Sequence, residues 1–169
     1  MASILTADDF VGEYEIPSGE WIDAKLDIYI AQVEEDMLIS LLGYTLYDEF
    51  VTALAGSPAS KWTDLRDGAT YSIGDRAFYF KGILEMLKCF TYFYYVRDNQ
   101  FENTQVGIAI NNTTNSERDT PFTSSILKRM WNRGIDIYND ACSFIVIKNE
   151  PAEVYADFYF TERSKVSLI

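Results

Sequence analysis

The sequence predicts an all-α domain: a small bundle of about four main helices, a long loop between the last two, and an extended or β-like C-terminal arm. Three observations predict it. Apolar residues recur at three- and four-residue spacing over long stretches. Most Gly and Pro fall between those stretches rather than inside them. The longest period-two alternation comes after residue 150. With 169 residues, 48% of them hydrophobic, the chain has the length of one domain and enough apolar side chains for a core.

Residues 1–17 read as an acidic, irregular lead-in, residues 18–150 as the helical domain and residues 151–169 as the arm. After Pro17-Ser18-Gly19, the residues Ile22, Leu26, Tyr29, Val33, Met37 and Leu41 mark a first helix, with Ser18 as its cap and Gly43 as its left-handed stop. A shorter helix follows from about Thr45 to Ala55, burying Leu46, Phe50 and Leu54, and ends at Gly56-Ser57-Pro58. Lys61 to Leu65 predicts a single helical turn, followed by a Gly-bearing stretch to Gly74. From about Asp75 to Asp98 the sequence is apolar almost all round, the pattern of a central helix or of one covered by another subunit. Asn99 to Thr120 is a connection over twenty residues long, which is more often functional than idle. The last long helix is expected after Pro121, with Ile126, Leu127, Met130, Trp131, Tyr138, Ala141, Cys142 and Ile145 as its stripe, stopped by Pro151. In the arm, Val154, Ala156, Phe158 and Phe160 alternate with Tyr155, Asp157, Tyr159 and Thr161, which predicts a strand seeking an edge.

Charge excludes more than it assigns. Twenty-six acidic residues against 14 basic give −12. Twelve of the acids and one cation, Lys25, lie in residues 1–60, a local net of −11. Gripping nucleic acid needs clustered cations, so electrostatic DNA binding is not expected. There is no histidine, which removes the commonest general base and most zinc sites. Glu34-Glu35-Asp36 and Asp48-Glu49 are the available carboxylate groups, but neighbours on a helix diverge by about 100° and do not converge on one substrate atom. No phosphate loop, calcium loop or CxxC spacing occurs. Neither an enzyme, a cofactor nor a metal is expected. Cys89 and Cys142 fit small core residues in a reducing compartment. Residues 1–6 do not read as a signal peptide, and no run of about 18 uninterrupted apolar residues suggests a membrane span. Tyr, Phe and Trp make up 15% of the chain, and Tyr, the most numerous, suits surfaces with one end buried and the other wet.

The order of landmarks resembles that of the head-tail connector proteins of tailed bacteriophages, the head-completion or adaptor ring proteins of Bacteroidetes-infecting and crAss-like phages. The residues that carry this are Leu42-Gly43-Tyr44-Thr45-Leu46-Tyr47-Asp48-Glu49-Phe50, Lys61-Trp62-Thr63-Asp64-Leu65-Arg66-Asp67-Gly68 and Tyr79-Phe80-Lys81-Gly82-Ile83. Asn103-Thr104-Gln105-Val106-Gly107, Asn115-Ser116-Glu117 and a final Tyr-containing helix follow in order, so the likeness spans about residues 18–148.

The resemblance implies a virion structural protein whose copies form a dodecameric ring under the portal protein, meet tail or second ring proteins, and extend the channel for double-stranded DNA without binding it specifically. It would reside at the head-tail junction, and in the host cytoplasm during assembly, with no membrane partner. A ring of that kind needs two different patches per subunit. The candidate interface residues are Val106, Ile108, Ile110, Asn111, Asn112, Ser116, Glu117 and Arg118 in the long connection, with Tyr155, Phe158 and Phe160 in the arm. Glu34, Glu35 and Asp36 are candidates for a channel or portal-facing acidic surface, where like charge would let DNA pass. The competing reading is an acidic binding module, such as a DNA-mimicking inhibitor of a host nuclease. Its mark would be a one-to-one complex with a basic nuclease, competed by DNA and weakened by salt.

Overall fold

A computed structural model describes residues 3–16, 20–99, 101–104, 107–110, 120–149, 154–155, 158–159 and 162–165. Among them run four α-helices, α1 (Glu20–Leu54), α2 (Ser60–Asp67), α3 (Ile83–Asn99) and α4 (Thr120–Asn149). Two antiparallel hairpins interrupt them, β1 (Ala69–Ile73) with β2 (Arg76–Phe80), and β3 (Phe101–Thr104) with β4 (Gly107–Ile110). The domain is therefore mostly helical, as expected, but it is not all-α.

α1 consists of the two expected N-terminal helices, meeting as expected at Gly43, whose φ of 73° and ψ of 163° lie outside helical geometry. Few residues other than glycine adopt that conformation at low cost. Leu26, Ile30, Val33, Met37 and Leu41 before the break, and Leu46 and Phe50 after it, are all buried, so both halves serve one core. Ser18, the expected cap, lies outside the described residues. By length and composition α1 could cross a membrane. Its apolar stripe is spent on the core instead, and its opposite face carries Asp27, Glu35 and Asp36, the pattern of an amphipathic core helix.

The third helix starts later than the sequence predicts. Residues 76–80 are a strand, and α3 opens at Ile83. Gly74 and Asp75 form a two-residue turn between Ile73 and Arg76, with Gly74 at a φ of 58°, the backbone a tight hairpin requires. Phe78, Tyr79 and Phe80 suit either period, and the turn decides for strand. The base of this hairpin is pinched where α2 ends and α3 begins. A Cβ on Gly68 would lie 2.4 Å from the Phe80 carbonyl oxygen, and one on Gly82 would lie 2.5 Å from that of Arg66. Both residues also have positive φ, 97° and 89°. Two backbones cross there in contact, which only glycine permits on both sides.

The long connection is likewise structured in part, since β3 and β4 occupy residues 101–110 with Phe101 opposite Ile110. Residues 111–119 lie outside the described residues. α4 begins at Thr120, with Pro121 in its first turn, and ends at Asn149.

α3 is the middle layer. One face meets α1 and the lead-in: Tyr95 packs edge-on to Tyr29 at 5.6 Å, Tyr92 meets Tyr14 at 6.3 Å, and Asn99 accepts a hydrogen bond from Lys25. The opposite face meets α4, where Phe90, Phe93 and Tyr94 surround Trp131. Ile83, Met86, Leu87, Cys89, Phe90 and Thr91 are wholly buried between these layers. The expectation of a central helix is met by the chain itself.

The acidic lead-in is more than a solvated tail. Two 3-10 turns, Ala7–Asp9 and Gly12–Tyr14, bring Leu5, Phe10, Tyr14 and Ile16 into the core. In the arm no strand is found among the described residues. Tyr155 is buried while Tyr159 is exposed. Tyr155 is fixed by side chains instead: its hydroxyl donates to the Lys61 carbonyl oxygen at 2.6 Å, and its backbone exchanges two hydrogen bonds with the Asn149 amide at 2.6 and 2.8 Å.

Replacing Gly82 by Ala is expected to destabilise the fold by more than about 2 kcal/mol, because strain and a backbone clash add. Gly43→Ala, with open space around the new methyl group, should cost about 1 kcal/mol from backbone strain alone. Urea midpoints followed by circular dichroism check the order; equal losses would contradict the crossing at Gly68 and Gly82.

Candidate assembly surfaces

Titratable side chains converge most closely inside the molecule, between the lead-in, α3 and α4. The Tyr14 hydroxyl donates to Glu85 Oε1 at 2.9 Å and lies 3.3 Å from Cys89 Sγ. Arg133 reaches in from α4, pairing with Glu85 at 2.5 Å and with Glu13, its guanidinium over the Tyr14 ring at 5.6 Å. Burial pushes the Tyr14 hydroxyl well above its usual range and the Cys89 thiol up to about 11. A thiol in that state is protonated at neutral pH and a poor nucleophile. The cluster works as a clamp that ties the lead-in to α3 and α4. Among the described residues no group of three or more His, Cys, Asp or Glu side chains could hold a metal ion.

The three acids expected on one surface separate. Glu35 and Asp36 face solvent, whereas Glu34 is only 8% exposed and accepts the Leu5 N–H at 2.7 Å. A helix turns about 100° per residue, so a run of three cannot share one face. Burial raises the Glu34 carboxyl above its ordinary range, and the Leu5 N–H pulls it back. Glu34 thus holds the lead-in and leaves the candidate acidic surface. That surface consists of Asp27, Glu35 and Asp36, and beyond the break Asp48 and Glu49, all exposed on α1.

Of the expected interface residues, Val106, Asn111, Asn112, Ser116, Glu117, Arg118 and Phe160 lie outside the described residues. Ile108 and Ile110 belong to β4. Tyr155 is buried against Trp62, rings 5.6 Å apart, and is an internal anchor instead of a surface for a neighbour. Phe158 is half-buried on the core. A second tether holds the arm further on, where Arg163 donates to Ser40 Oγ at 2.6 Å and its backbone exchanges hydrogen bonds with the Asn139 side chain at 3.0 and 3.1 Å.

Apolar surface is exposed elsewhere, at places the sequence reading did not single out. Ile28, 58% exposed, sits at the centre of the outward face of α1. On the hairpin Ile73 is 52%, Phe78 40% and Tyr79 65% exposed. The hairpin packs on α4 through Tyr71 and Phe80 against Phe144. A signal for it was present: Gly74-Asp75 flanked by Tyr71, Ile73 and Phe78 is a two-residue turn between alternating segments.

Residues 38–130 match the model of a family described as a family of unknown function, DUF6712. That is more than half of the chain, from the second half of α1 into α4. No curated protein and no solved structure matches.

The buried Glu34 carboxyl gives a pH test. Its ionised form is disfavoured on folding, so its contribution to stability is fullest below the ordinary glutamate range and falls as pH rises through its elevated folded value. Glu34→Gln removes that titration. The stability of this variant relative to the unsubstituted protein is expected to improve from pH 4 toward neutrality, in urea titrations at each pH; a difference independent of pH would contradict the burial of the carboxyl.

Proposed function

The chain belongs to the DUF6712 family, and we propose that it is a non-enzymatic virion structural protein, a subunit of the ring that connects portal to tail in a tailed bacteriophage. In this reading copies of the chain close into a dodecameric ring under the portal protein, tail or second ring proteins attach below, and double-stranded DNA passes without specific binding. The protein works at the head-tail junction and is assembled in the host cytoplasm.

The observation that carries the proposal is the placement of exposed apolar surface. A head-to-tail ring requires two different patches on every subunit, and the Ile28 face of α1 and the Ile73–Phe78 hairpin, which packs on α4, are two such patches on different elements. Exposed large apolar groups set among charges suit protein contacts. The order of motifs from Leu42 to Glu117 supports the same reading through its resemblance to connector proteins. Asp48 and Glu49, exposed on α1 beyond its break, fit a body beside which DNA moves, because they repel phosphate.

Quantitative mass spectrometry of purified particles of the encoding phage tests the proposal. The chain is expected in the virion at the copy number of the portal protein. Its absence from complete, infectious particles would overturn the proposal.

A further inference from the structure

The apolar face of the first hairpin continues past the end of its support. Pairing sets Ala69 opposite Phe80, Tyr71 opposite Phe78 and Ile73 opposite Arg76, so these six side chains share one face. At the base Phe80 is buried, stacked on Phe144 at 4.8 Å. One step on, Tyr71 meets Phe144 edge-on at 5.6 Å and stacks on Phe78. Phe78 is already partly uncovered, and Ile73 and Arg76 at the tip stand in solvent. A strand face that is apolar and lies over nothing is shaped to lie over something else.

The outward face of α1 has the complementary make-up. Ala24, Ile28 and Ala31 are exposed in line with Glu35, and Asp27 and Asp36 flank them. The exposed charges from residue 24 to 36 are these three acids and Lys25, a net of −2, whereas residues 69–82 carry Arg76 and Lys81 against Asp75, a net of +1. Small apolar groups ringed by acids thus match large apolar groups ending in a guanidinium. Because the two faces belong to different elements, one to α1 and the other to the hairpin on α4, each copy can use both, once as donor of the hairpin and once as its seat.

We infer that the overhanging face of the β1–β2 hairpin seats on the outward face of α1 in a second copy of this chain, with Arg76 against Glu35 and Asp36. The inference rests on the ring reading and names the contact that builds the ring. A charge exchange isolates it. Arg76→Glu opposes acid to acid between like copies, and the double variant Glu35→Arg with Asp36→Arg opposes cation to cation. Mixed together, each variant presents the partner that the other lacks.

Sedimentation of the full-length protein at rising concentration is the readout, with circular dichroism confirming that both variants are folded. The unsubstituted chain is expected to self-associate, each variant alone to do so about tenfold more weakly or worse, and the equimolar mixture to recover. Variants that associate like the unsubstituted chain, a mixture no better than its components, or an unsubstituted chain that is monomeric at every concentration would overturn the inference. If the variants still form rings by electron microscopy, the hairpin contact is wrong and the connector proposal stands. Absence of the chain from virions would instead sink the connector proposal and leave the charge-exchange result intact.

Discussion

Burial of α3 on two opposite faces is the constraint from which the other features follow. Ile83, Met86, Leu87 and Phe90 have no exposed surface, and each contributes roughly 1.5–3 kcal/mol only while fully covered. One neighbouring helix covers about a third of a helix circumference, so a helix apolar on nearly every side needs two layers. α4 supplies one, and α1 with the lead-in supplies the other. The clamp of Tyr14, Glu85 and Arg133 then makes physical sense, because it fastens together the elements that must stay closed over α3. So does the pinch at Gly68 and Gly82, which brings the hairpin back to the start of α3 without leaving a gap.

The layering also fixes what is left over. Once the core faces of α1 and α4 are used, the apolar surface left exposed includes the Ile28 stripe and the hairpin overhang, carried on different elements. The aromatic excess of the chain divides in the same way. Trp131, Phe90, Phe93 and Tyr94 form one internal cluster and Trp62, Phe50 and Tyr155 another, while Phe78 and Tyr79 are carried outward. The acidic first third divides too. Asp9, Glu13 and Glu34 hold the lead-in through Lys88, Arg133 and the Leu5 N–H. Asp27, Glu35, Asp36, Asp48 and Glu49 remain for the surface.

Helices were legible in the sequence because their signal is redundant: seven buried residues of α1 repeat one period, and Gly43 marks its break without ambiguity. The first hairpin was not legible, because three consecutive aromatic residues, Phe78 to Phe80, satisfy a helical and a strand period equally. Only the pairing across Gly74-Asp75 separates the two. The arm lies mostly outside the described residues. Its alternation is real in the sequence, yet Tyr155 is placed by hydrogen bonds to Lys61 and Asn149, which no local pattern encodes. The inward turn of Glu34 was within reach of helical geometry alone. The surfaces most relevant to function were the least legible, since an exposed Ile28 or Ile73 differs from a core residue only after the core is known.

Hydrogen exchange of the full-length protein, compared between its free and self-associated states, tests the central claim most directly. The account predicts that Ile83 to Thr91 exchange slowest in both states, since the chain covers α3 by itself. It further predicts that residues 71–78 and 24–36 gain protection together on association. Association without new protection at either segment, or α3 protected only in the associated state, would contradict it.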